Sequence, residues 1–197
     1  MARASVRGMG IEYISHGSSE GEVVLLVMGV GGQLTLWPQG LIDQLTGKGF
    51  RVIAYDARDV GLSDKMDEAG LPDIPAITEA AKRGGVAPVA YHLEDMAEDA
   101  VGLLDALDIQ KAHIVGGSMG GMIAQLIASD HPEHVLSLTS IMSTTANPGL
   151  PETSPELTRQ MTKVPPTLTK TCRGGWTILL PMPGSHNRPP TRRTNNS

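Results

Sequence analysis

Gly116-Gly-Ser-Met-Gly120 sets a serine between two glycines, each two residues away. A short apolar run, Ala112-His-Ile-Val115, comes before it, and a helical run, Met119 to Ser129, comes after. The spacing has a steric purpose. A serine at the apex of a tight strand-to-helix turn is forced into a strained backbone conformation, and the glycines let the two arms approach without Cβ clashes. Ser118 Oγ is then held in the open. The Met119 N–H and the positive end of the following helix face the place where an oxyanion forms. The implied chemistry is nucleophilic attack on an acyl carbon through an acyl-enzyme. The competing reading is a glycine-rich turn kept only for packing a helix on a strand.

An oxyanion hole wants a second donor, and Met28-Gly-Val-Gly-Gly32, after the apolar run Val23 to Met28, offers the Val30 N–H. A glycine-rich turn after a strand also suggests a phosphate loop. That reading fails on spacing, because the run has neither G-x-G-x-x-G nor a Walker Lys-Ser/Thr.

The elements that must position these groups alternate in type. Strands are expected near Ala4–Arg7, at Gly10–Ser15, Val23–Met28, Arg51–Tyr55 and Ala112–Val115, with a last one at Val135–Met142. Helices are expected at Pro38–Thr46, Leu93–Leu107 and Met119–Ser129. Of these, Leu93–Leu107 has the clearest apolar face, through Leu93, Met96, Ala97, Ala100, Leu103, Leu104 and Leu107. Alternation of this kind predicts an α/β fold, a mostly parallel sheet with helices on both faces. Residues 57–92 form a long excursion with Pro72, Pro75 and Pro88 and a short helix near Ala76–Lys82. It leaves the carboxyl end of a strand, so it either lines a substrate mouth or is a surface insertion.

Several motifs in this order resemble α/β-hydrolase fold serine hydrolases, nearest to the aclacinomycin methylesterase-like carboxylesterases. They are Leu25-Leu-Val-Met-Gly-Val-Gly-Gly32 with Trp37-Pro38, Tyr55-Asp-Ala-Arg-Asp-Val-Gly-Leu-Ser63, Met96 to Leu107, and Ala112-His-Ile-Val-Gly-Gly-Ser-Met-Gly-Gly-Met-Ile-Ala-Gln125. The match covers residues 10 to about 150. The resemblance implies that Ser118 is the nucleophile and that Met119 and Val30 shape the oxyanion hole. It also implies that Asp56, Arg58, Gly61 and Ser63 hold the loop after the fourth strand. The implied activity is hydrolysis of a small carboxylic ester or lactone without metal or organic cofactor. An aminopeptidase of the same fold is a further alternative.

The resemblance stops where the family supplies its acid and its histidine, in chain order Ser, acid, His. No convincing seventh or eighth strand follows Met142, and Trp176–Pro181 is at most an edge strand. Ser143-Thr-Thr-Ala-Asn147 has no carboxylate. His16, His92, His113, His131 and His134 read as structural or solvated. His186 alone stands in the right order, in a segment with no acid to orient it. The fold is therefore expected to be truncated after the sixth strand, with residues 1–150 as hydrolase core and 151–197 as a divergent, disordered tail from a truncated or frame-shifted product. A genuine short hydrolase is the alternative. The second function class is a catalytically incomplete fragment or a non-enzymatic binding module.

Charge and cysteine content narrow the partners. Net charge is −5 over 197 residues. The acidic body argues against a nucleic-acid backbone, and the positive charge gathers after residue 156, where eight of the 14 prolines also cluster beyond residue 150. Cys172 is the single cysteine, which excludes an internal disulfide or a cysteine-based zinc site. The N-terminus lacks the apolar run of a signal peptide, and Val23–Val30 is far short of the roughly 18 residues of a membrane span. A cytoplasmic protein acting on a small molecule is expected, with no membrane partner.

Overall fold

A computed structural model describes residues 1–147, 149–151, 154–156, 159, 167–170 and 176–179. The chain divides into two units, Met1–Leu150 and Pro151–Ser197. In the first unit, strands β1 (Ala2–Val6), β2 (Met9–His16), β3 (Val23–Val27), β4 (Arg51–Tyr55), β5 (Ala112–Gly117) and β6 (Val135–Ile141) form one sheet. Its strand order is β1-β2-β4-β3-β5-β6. The pairs β4–β3, β3–β5 and β5–β6 are parallel, while β1–β2 and β2–β4 are antiparallel. The helices are α1 (Gln39–Gly47), α2 (Ile74–Lys82), α3 (Leu93–Ala106) and α4 (Met119–Asp130).

The opening hairpin turns on Arg7 and Gly8, both with positive φ (49° and 84°), the twist a two-residue connection requires. Val6 then pairs with Met9. β3 is buried along its whole length, as a strand covered on both faces must be. Val23, Leu25 and Val27 join the core beneath α3 and α4, with Ile53, Tyr55, Met96, Leu103, Ile123 and Ile127. Val24 and Leu26 point the other way, toward Leu34, Trp37 and Ile42 at α1. That alternation along one strand puts helices on both faces, as the sequence predicts. Each fully buried Leu or Ile is worth about 1.5–3 kcal/mol relative to exposure.

As the sequence predicts, the main sheet ends at β6; the described residues after Met142 add a short, separate pair of strands in the second unit, where no convincing seventh or eighth strand was expected. Thr167–Lys170 (β7) and Trp176–Leu179 (β8) pair antiparallel. Trp176–Pro181 is therefore not an edge of the main sheet, for its first four residues form a separate two-stranded ribbon. Two four-residue strands are too short to announce themselves by period, and the prolines around them mask the signal.

Candidate active site

β5 runs to Gly117 and α4 begins at Met119, so Ser118 is the whole connection. Its backbone lies at φ 54°, ψ −123°, a conformation that costs a non-glycine residue on the order of 1–3 kcal/mol. Three features hold it there. The Ser118 N–H donates to the Ile141 carbonyl on β6 at 2.9 Å, and the Ser118 carbonyl accepts from the Gly121 N–H at 2.9 Å. A Cβ on Gly116 would overlap the Gly120 carbonyl, and one on Gly120 would overlap the Val27 carbonyl. Both glycines are thus fixed by close approach of the two arms and of β3. Ser118 itself is exposed. The result is a nucleophile elbow.

The turn after β3 lies against this serine. A Cβ on Gly29 would stand 3.1 Å from Ser118 Cβ and 3.6 Å from its Oγ. Val30 is the next residue and is 46% exposed. No hydrogen bond among the described residues uses its N–H, although Gly32 N–H closes the turn on the Gly29 carbonyl at 3.0 Å. Met119 opens α4, so its N–H has no acceptor within the helix. Met119 thus follows the serine with a free helix-start donor, and Val30 follows the Gly29 that lies against it. Trp37 is buried and its ring edge comes within 3.8 Å of the Cβ position of Gly117, which makes it a wall beside the elbow.

The loop after β4 is tied down by charge. Asp56 is buried and accepts the Leu34 N–H at 2.8 Å and the Leu62 N–H at 2.9 Å. Ser63 Oγ donates to the Asp56 carbonyl. Arg58 makes a two-pronged pair with Asp99 of α3, Nε to Oδ2 and Nη2 to Oδ1, both at 2.7 Å. This hydrogen-bonded pairing raises the guanidinium pKa above its ordinary value, against the opposing effect of burial. The guanidinium also lies 5.1 Å from the Tyr91 ring centre. Burial, reinforced by Asp99, raises the Tyr55 hydroxyl pKa, and burial with a hydrogen bond to Asp59 raises that of Tyr91.

Among the described residues, three histidines are engaged with other partners. His113 Nδ1 is 2.8 Å from Ser137 Oγ and its ring meets Phe50 edge-on. His131 Nε2 is 2.7 Å from Glu98, and His134 faces Asp105 at 3.9 Å. No hydrogen bond among the described residues joins a histidine to Ser118 Oγ. His186, the sequence candidate for a base, lies outside the described residues. The excursion holds a cavity of 440 Å³ lined by Asp59, Met66, Leu71, Pro72, Pro88 and Tyr91, and by no residue of the elbow. Among the described residues no group of three or more His, Cys, Asp and Glu side chains is placed to hold a metal, and no helix is long and apolar enough to cross a membrane.

Sequence reasoning proposed Ser118, Met119 and Val30 and quoted Gly29 and Trp37 within motifs, but it gave neither the approach of Gly29 and Trp37 to the elbow nor the reach of Asp56 to Leu34. Gly29 was legible as a turn glycine. Its contact with Ser118 was not, since it joins residues 89 positions apart.

A strained serine between a parallel strand and a helix, with a glycine turn from the neighbouring strand beside it, defines the α/β-hydrolase class of serine enzymes. Residues 22–173 match the alpha/beta hydrolase fold family, and the chain belongs to it. It is 35% identical over 119 residues to the rhodomycin D methylesterase DauP of Streptomyces sp. (strain C5), covering 59% of this chain and 34% of that protein. It is also 35% identical over 133 residues to RutD of Variovorax paradoxus (strain S110), provisionally named a carbamate hydrolase, covering 68% of this chain and 42% of that protein. Among solved structures, the enol-lactonase from Burkholderia xenovorans LB400 superposes with TM-score 0.53 at 26% identity, covering 68% of this chain and 44% of that one. The chain spans less than half the length of these relatives.

Proposed function

We propose that this chain carries the nucleophile of a serine hydrolase for small carboxylic esters or lactones. Ser118 Oγ adds to the substrate carbonyl, and the oxyanion is received by the Met119 and Val30 N–H groups. The alcohol leaves, and water then hydrolyses the acyl-enzyme. A histidine takes the serine proton in this scheme, and His186 is the candidate the sequence offers. The observation that carries the reading is the strained, exposed Ser118 with the Gly29 turn against it. The methylesterase and lactonase among its relatives support this substrate class. The cytoplasmic setting is part of the same proposal, supported by the single cysteine.

The second reading, a catalytically incomplete hydrolase or binding module, is favoured by the engagement of His113, His131 and His134 away from the elbow. Loss of a triad histidine costs on the order of a millionfold in turnover. Burst-phase hydrolysis of p-nitrophenyl acetate, with intact mass, separates the two. The first reading expects an acetyl adduct and turnover, both abolished in Ser118→Ala. A folded protein that shows neither belongs to the second.

A further inference from the structure

Asp56 directly follows β4 with its side chain buried, and its two carboxylate oxygens serve two different segments. Oδ1 accepts the Leu34 N–H at 2.8 Å, and Oδ2 accepts the Leu62 N–H at 2.9 Å. Leu34 opens a short 3-10 helix (Leu34–Leu36) two residues after the turn that Gly32 closes on Gly29, and Leu62 lies in the loop after β4. Neither stretch belongs to a strand ladder or an α-helix. One carboxylate therefore cross-links the start of this 3-10 helix to the loop after β4.

The carboxylate is itself held from the sheet. The Asp56 N–H donates to the Glu12 carbonyl of β2 at 2.9 Å, while Ser63 Oγ donates to the Asp56 carbonyl and accepts the Glu12 N–H at 2.9 Å. A Cβ on Gly61 would collide with the carboxylate, so the loop must be bare there, and its φ of 51° also suits glycine. Lys65 Nζ caps the Gly61 and Ser63 carbonyls at 2.9 and 2.7 Å and supplies positive charge toward Asp56. A charged acceptor makes shorter and stronger hydrogen bonds than a neutral one, which suits a group meant to fix backbone position.

We infer that Asp56 is the positioning residue of the oxyanion turn. Its carboxylate pins the Leu34 end of the segment Gly29–Gln33 and thereby sets where the Val30 N–H stands relative to Ser118. The inference rests on the reading of Val30 as an oxyanion donor. Its consequence is kinetic: a donor displaced by about 1 Å loses on the order of a hundredfold in rate, although no substrate touches Asp56.

The test compares Asp56→Asn with the wild-type chain. The amide keeps the shape but replaces one acceptor with an NH2 group, so one backbone N–H faces a donor. Two readouts are taken. In the first, an alkyl fluorophosphonate reacts at Ser118, the Oγ–P bond forming as fluoride leaves and the hydroxyl proton passes to the base or to water. The maximal inactivation rate is expected to fall about a hundredfold with the half-saturating concentration little changed. In the second, hydrogen exchange of the amides at 29–36 is expected to quicken at least about tenfold while those of β5 keep their protection. Should Asp56→Asn fail to fold, Leu34→Pro, which deletes the N–H, is compared with Leu34→Ala, which keeps it. Gln33 is already extended (ψ 158°), as a residue before proline must be. The proline variant should be the slower to label and the faster to exchange.

Labelling at the wild-type rate, or unaltered exchange at 29–36, overturns the inference. A wild-type chain that the probe does not label overturns the acyl-transfer reading instead, and the exchange measurement still decides the role of Asp56 in holding the turn.

Discussion

β3 and β6 flank the same strand, both parallel to β5, and their environments are opposite. Every residue of β3 is buried. β6 is exposed along its length after a half-buried Val135, with Leu136, Leu138 and Ile141 at 43%, 40% and 37%. Both have ample β-branched and aliphatic residues, so propensity does not separate them. What separates them is cover: β3 has strands on both sides and helices on both faces. β6 has β5 on one side and α4 packed on one face, and no strand pairs with its outer edge among the described residues. Burial of a parallel strand is thus a property of its neighbours. The elbow takes from both, for Gly120 abuts the Val27 carbonyl of β3 and Ser118 N–H is held by Ile141 of β6.

The comparison breaks if the two strands respond alike to truncation. Leu25→Ala is expected to cost about 2–5 kcal/mol, read from the urea midpoint, because the cavity is walled on both faces. Next in size is Asp99→Asn, which leaves the buried Arg58 charge without its counter-ion and is expected to cost about 3 kcal/mol, nearly independent of salt. Leu138→Thr on β6 is expected to cost about 1 kcal/mol or less and to reduce aggregation measured by light scattering. A loss as large as that of Leu25→Ala would mean that β6 is covered in solution.

The smallest effect belongs to the opposite edge of the sheet. Asp64 accepts the Gly10 N–H at 2.7 Å and pairs with Arg3 of β1. The backbone hydrogen bond foremost, with help from Arg3 and Lys65, holds its pKa below the ordinary 3.8 against the opposing effect of burial. The stability it lends is fully present above that value and is lost as pH falls through the lower folded one. Asp64→Asn is therefore expected to lower stability slightly above about pH 4 and to flatten the acid limb below it, so that the two profiles converge at low pH.

Much of the fold was legible because the signals are local. Apolar runs bounded by glycine marked β3, β4 and β5. The 3.6-residue period marked α3, whose observed span Leu93–Ala106 ends one residue before the expected one. The elbow was legible for the same reason, since its glycines and serine are consecutive. Arg58 and Asp99 are each ordinary in sequence, and nothing near either announces the other. The reach of Asp56 to Leu34 spans 22 positions and depends on β4 and β3 lying side by side. β7 escaped because a four-residue strand carries too little period to register, and β8 was legible only as an edge-strand candidate within Trp176–Pro181.

The sequence by itself determined the element order, the type of each long element, the place where a serine must be strained and the two glycines that permit it. These follow from side-chain period and from steric limits within a few residues. Only the tertiary structure decided that Gly29 touches Ser118, that Asp56 reaches both Leu34 and Leu62, and that three histidines are spent on other partners. Those outcomes depend on which strands become neighbours, a choice made by burial over the whole sheet rather than by any local run of residues.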